Sequence, residues 1–102
     1  MKKKNDTHIL IVKSHSAPVV EIDTEAQAAY VRFKKAKVAR TLRRRSKWPI
    51  VTIDLDDNGD VIGVEFVGVR HFNLEYLLKR VPIKAPRNAI DKVSYVAPAC
   101  AN

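Results

Sequence analysis

Ile50-Val51-Thr52-Ile53-Asp54-Leu55, then Asp56-Asp57-Asn58-Gly59-Asp60, then Val61-Ile62-Gly63-Val64-Glu65-Phe66-Val67: two aliphatic runs flank an acidic turn, and their reading decides the fold. In the first run Val51, Ile53 and Leu55 share one face, the period of two that marks a strand. In the second, Ile62, Val64 and Phe66 are expected to face inward in the same way. Asn58-Gly59 between them tolerates positive φ, which suits a hairpin connection. The first structural unit is therefore an antiparallel hairpin over 50–67.

Working upstream, Val19 to Asp23 and Ala28 to Phe33 read as a second hairpin around Asp23-Thr24-Glu25. Ala29, Val31 and Phe33 fall on one face, and Ala28, Tyr30 and Arg32 on the other. His8 to Lys13 reads as a strand ended by Ser14-His15-Ser16-Ala17-Pro18. Lys37 to Arg45 is ambiguous, since Val38 and Leu42 also stand at the i, i+4 spacing of a helix; its brevity and flanking strands favour β. A strand there sends Arg43 and Arg45 to one face and Arg44 to the other. Downstream, Asn73 is a suitable N-cap for a helix over Leu74 to Arg80, with Leu74, Leu77 and Leu78 as its apolar stripe and Pro82 as its stop. Pro86 and Pro98 break the remainder, where Lys92 to Ala97 fits one edge strand. The expected fold class is α+β, mainly β: a small antiparallel meander with one short C-terminal helix packed on it. Residues 1–81 would form that single domain, and 82–102 a Pro-containing tail with one added edge strand.

At 102 residues, 46% apolar and 29% charged, the chain fits one compact domain and not a disordered tail. Little area is left for a deep cavity, which argues against a large multi-part active site. Ile9 to Val12 is as long as any uninterrupted apolar run, far below the roughly 20 residues of a membrane helix. Lys2, Lys3 and Lys4 before so short a run do not make a signal peptide, so a cytoplasmic protein is expected. The single cysteine, Cys100, excludes an internal disulfide and a cysteine-based zinc site.

Charge is unevenly placed. Residues 1–51 carry 13 basic and 4 acidic side chains, and 52–102 carry 6 and 7. Arg32, Lys34, Lys35, Lys37, Arg40, Arg43, Arg44, Arg45 and Lys47 follow one another without an acid. A field of that sign attracts polyanions or an acidic protein face.

The order Val-Val-Glu-Ile-Asp (19–23), Ala-Ala-Tyr-Val-Arg-Phe (28–33), Lys-Val-Ala-Arg-Thr (37–41) and Val-Thr-Ile-Asp-Leu-Asp-Asp-Asn-Gly-Asp-Val-Ile-Gly-Val-Glu-Phe (51–66) resembles the domain of unknown function 2283 family, over half the chain. The resemblance rests on an aromatic-x-Arg-Phe strand, a Val-Ala strand start and an Asp-Leu-Asp-x-x-Gly hairpin. It implies a small prokaryotic or phage β-meander with no established catalytic residues, in a family some of whose members are suspected to act as partners of toxins. Arg43, Arg44 and Arg45 depart from the family pattern, in which that segment is commonly acidic.

Other constellations are weaker. Asp54, Asp56, Asn58, Gly59 and Glu65 match the EF-hand loop letter by letter, yet calcium loops of that kind need flanking helices and the flanks here alternate as strands. His8, His15 and His71 share no metal-ligand spacing. Ser14, Ser16, Ser46 and Ser94 lack nucleophile-elbow glycines. No catalytic residue, metal or cofactor is expected, and the chain is read as non-enzymatic.

The basic stretch carries the functional expectation. Arg32, Lys34, Lys35, Lys37, Arg40, Arg43, Arg44, Arg45, Lys47 and Trp48 are the candidate binding residues, contacting an RNA or DNA backbone through charge, with Trp48, Tyr30 and Phe33 as stacking surfaces if exposed. The alternative is a protein-protein regulator of phage or mobile-element type, a toxin partner or inhibitor. It would set the same basic face on an acidic protein, or pair an exposed strand edge, which would also give a homodimer.

Overall fold

A computed structural model of the chain describes residues 10–13, 16–44, 49–69, 73–79, 81, 83–87 and 91–96. Its elements are β1 (Leu10–Ile11), β2 (Val19–Asp23), β3 (Ala28–Arg32), β4 (Arg40–Arg43), β5 (Ile50–Leu55), β6 (Val61–Val67), α1 (Leu74–Leu78), β7 (Ile83–Lys84) and β8 (Ser94–Val96). Six strands form one sheet in the order β4-β5-β6-β3-β2-β8, and β1 and β7 form a separate two-stranded sheet.

The hairpins form where the alternation placed them. β2 pairs antiparallel with β3, and β5 with β6. Their in-register residues Val20, Val31, Val64 and Ile53 make one continuous row across the four central strands, each at most 1% exposed. Ala29, Phe66 and Val51 make the next row, also buried. Each fully buried aliphatic side chain contributes about 2 kcal/mol from apolar area removed from water. These rows therefore fix both the register and the face that becomes the core.

Two expectations are corrected. The six-stranded sheet is mixed and is not a meander, since β8 runs parallel to β2 and β3 pairs with β6 in place of its sequence neighbour β4, and in the separate two-stranded sheet β1 runs parallel to β7. The fold is also mainly β and not α+β. The helix expected over 74–80 is confined to the five residues Leu74–Leu78, too few for a helical layer. Leu74 and Leu77 are buried in the same apolar cluster as Val12 and Val81. The core is thus closed by short pieces from several parts of the chain. Among the described residues no helix is long and apolar enough to cross a membrane.

The turn at 56–60 follows from its residues. Gly59 takes φ of 84° and donates its N–H to the Asp56 carbonyl at 3.0 Å. Leu55 pairs with Val61 and Asp54 with Gly63, so Ile62 is an extra residue, a β-bulge. A Cβ on Gly59 would meet nothing within 4 Å, so a side chain there costs backbone strain alone. Gly59→Val should destabilise the fold by about 1–3 kcal/mol and lower the melting temperature by at least several degrees, while Gly59→Asn should lose less. Thermal unfolding followed by circular dichroism checks this, and equal melting temperatures for wild type and Gly59→Val would refute it.

Candidate interaction edge

The chain leaves β3 in the middle of the sheet and next pairs at its far edge, so residues 33–39 cross the turn end of the β5–β6 hairpin. The bulge prepares that crossing. The Ile62 carbonyl accepts the N–H of Phe33 at 2.8 Å and of Lys34 at 3.3 Å, which turns the chain over β6. The Lys34 ammonium then donates to Asp56 Oδ2. Asp56 is only 6% exposed, and its other oxygen accepts the N–H groups of Asn58 and Asp60, both at 2.9 Å. One carboxylate therefore closes the turn and anchors the crossing. The crossing ends where the Ala39 N–H donates to the Leu55 carbonyl at 2.8 Å, and β4 begins.

These contacts set the charge states. The Lys34 hydrogen bond, with help from the Asp60 and Asn58 amides, holds the Asp56 carboxyl below its ordinary range. The same hydrogen bond to Asp56 is the main cause that raises the Lys34 ammonium.

The face of the sheet opposite the core carries a second tie. The Tyr30 ring lies across Gly63, where a Cβ would overlap the phenol, and its hydroxyl donates to Asp54 Oδ2 at 2.8 Å. Asp54 Oδ1 accepts from Thr41 Oγ1 at 2.7 Å. β3, β5 and β4 are thereby linked across a glycine on β6. Burial first, and then the bond to Asp54, pushes the Tyr30 phenol up from its ordinary value. Arg32 lies 5.2 Å over the Tyr30 ring and 3.6 Å from Glu21.

Of the seven candidate residues that are described, two are engaged within the fold. Arg32 is engaged with Glu21 and Tyr30, and Lys34 with Asp56. Lys35 and Lys37 are exposed in the crossing, Arg40 and Arg43 are exposed on β4, and Arg44 follows it half-buried. Arg45, Lys47 and Trp48 lie outside the described residues. Of the stacking candidates, Phe33 is 2% exposed in the core and Tyr30 is covered by Arg32. Lys35, Lys37, Arg40, Arg43 and Arg44 make no ion pair among the described residues. Val38 and Leu42, at 45% and 37% exposure, stand between them. The parts that Asp54, Asp56 and Tyr30 play in tying these strands together differ from the calcium-loop and stacking roles considered for them in the sequence. The Asp-x-Asp flanking an Asn-Gly turn is the signal for the two aspartates, since Asp at the first position of such a turn accepts its own loop amides.

β4 has β5 on one side and no described strand on the other. The EF-hand residues serve other ends: Asp54 binds Tyr30 and Thr41, Asp56 binds Lys34 and its own loop, and Glu65 sits five residues into the return strand. No group of three or more His, Cys, Asp or Glu among the described residues is arranged to hold a metal ion. His8, His15, His71 and Cys100 lie outside the described residues. A shallow hollow beside Tyr30 is bordered by Glu21, Asp23 and Glu65.

A family model described as protein of unknown function (DUF2283) matches residues 19–70, from the start of β2 to just past β6. No curated protein and no solved structure matches the chain.

Asp56 and Lys34 give stability a defined pH dependence. The Asp56 carboxyl titrates below its ordinary 3.8 in the folded chain, so its contribution is complete above that pH and is lost as pH falls through the folded value. Lys34 titrates above its ordinary 10.5, so the same pair weakens only as pH rises through that higher value. The melting temperature should be level between these limits. Asp56→Asn should lower it at neutral pH and flatten its fall below about pH 4. A variant with the wild-type melting temperature and an unchanged acid limb would remove Asp56 from this role.

Proposed function

The chain belongs to the DUF2283 family of proteins of unknown function, whose match spans half of it, and we propose that it is a non-enzymatic binding module whose basic edge docks an acidic segment of a partner protein. The observation that carries this reading is the set Lys35, Lys37, Arg40, Arg43 and Arg44, five cations spread over the crossing and the edge strand that follows it, with no ion pair among the described residues. No acidic residue occurs between Glu25 and Asp54, so the segment itself offers these cations no counter-charge. An acidic partner would be steered to this side and held there. The exposed Val38 and Leu42 among the cations add apolar contact suited to a protein surface.

A nucleic-acid backbone is the second reading, favoured by the same charge. It requires cations and benefits from stacking faces, and two of the cations and two of the aromatics first considered for it are engaged within the fold. A phosphate backbone would make no use of Val38 and Leu42.

Fluorescence anisotropy with a labelled poly-glutamate chain and a labelled single-stranded oligonucleotide, each titrated with salt, tests the proposal. The acidic polypeptide should bind in a salt-dependent manner, and Arg40→Glu with Arg43→Glu should weaken it about tenfold or more without unfolding the chain, since both side chains are exposed. Tight oligonucleotide binding with a steep salt slope, and none to poly-glutamate, would favour the second reading. Binding to neither probe would leave the cations as a solvating rim.

A further inference from the structure

We propose that an extended acidic peptide segment adds to β4 as a seventh strand of the sheet. This rests on the reading of the basic edge as a protein-docking site and names the form in which the partner binds. The Arg44 N–H donates to the Val51 carbonyl at 2.9 Å, and the β4–β5 register pairs Leu42 with Ile53 and Arg40 with Leu55. In an antiparallel pair hydrogen bonding alternates every two residues. Arg40, Leu42 and Arg44 therefore turn their backbone groups toward β5, and Thr41 and Arg43 turn theirs outward, where no described strand meets them.

The side chains complete the description. Thr41 and Arg43 stand on the face of Asp54, and Arg40, Leu42 and Arg44 on the core face. Cross-strand neighbours on one face interact directly. A strand laid parallel to β4 would set an acid beside Arg40, a polar residue beside Thr41, an apolar residue beside Leu42, and acids beside Arg43 and Arg44. A second copy of the chain fits badly, because antiparallel pairing of β4 with itself over residues 40–44 sets Arg40 opposite Arg44, and like charges directly opposite are destabilising. The homodimer expected from edge pairing is thus disfavoured at this edge. The edge at β8 offers only Ser94–Val96 and no charged residue.

The test uses the full chain and a labelled synthetic peptide with the core Glu-Thr-Val-Glu-Glu, prepared unmodified and in two versions N-methylated at alternate amides. In an added strand only one alternate set of amides faces β4, so one methylated version should bind about tenfold or more weakly and the other like the parent. Hydrogen exchange at the Thr41 and Arg43 amides should slow on binding. Equal binding by both methylated versions, with no slowing at Thr41 and Arg43, would overturn strand addition and leave charge-driven docking standing. Binding of a labelled oligonucleotide but of no peptide would overturn both readings in favour of nucleic acid. A chain already dimeric in sedimentation, with those two amides protected, would overturn it in favour of self-pairing.

Discussion

The chain has to pass from the middle of its sheet to the far edge between Arg32 and Arg40, and a single carboxylate, Asp56, makes that passage definite. Lys34 reaches it from the crossing, and the Asn58 and Asp60 amides reach it from the turn. Removing either charge would leave the other partly desolvated without its counter-charge, so the two are held together more firmly than an exposed pair would be. The consequence is positional: β4 arrives beside β5, and the segment richest in cations becomes the rim of the sheet.

On the opposite face Asp54 plays the matching part. It accepts hydroxyls from Tyr30 and Thr41 and so ties β4 back to β3. Gly63 is needed for this because the Tyr30 ring occupies the space a side chain would fill. Hydroxyl donors to a charged acceptor make the stronger class of hydrogen bond. The edge strand, short and outside the core rows, is thus fastened through Thr41 on one face and through the crossing that precedes it, and no described strand meets its outer backbone.

Local patterns made the central hairpins legible. Val51, Ile53 and Leu55 against Val64 and Phe66, with Asn58-Gly59 between, determine pairing within a few residues of separation, and the fold keeps them. Strand order was not legible, because β3 beside β6 and β8 beside β2 are chosen by which apolar faces meet across long separations, on which periodicity is silent. The helix was overread: Leu74, Leu77 and Leu78 make a helical stripe, but only 74–78 adopt it. The bulge at Ile62 was hidden, since Val61 and Ile62 are both buried where strict alternation allows one. In the basic segment, charge counting treated all cations alike. Arg32 and Lys34 differ from Lys35 and Lys37 only in what the tertiary fold sets beside them, Glu21 with Tyr30 in one case and Asp56 in the other.

The central claim, that one ion pair positions the basic edge, predicts a local response. Lys34→Met keeps the apolar stem and removes the charge. Native-state hydrogen exchange of this variant should show the Ala39 and Arg44 amides, which bond to Leu55 and Val51, exchanging faster than in wild type, while the amides of Val31 and Val64 in the central rows keep their protection. Unchanged exchange at Ala39 and Arg44, or an equal loss of protection across the whole sheet, would contradict it.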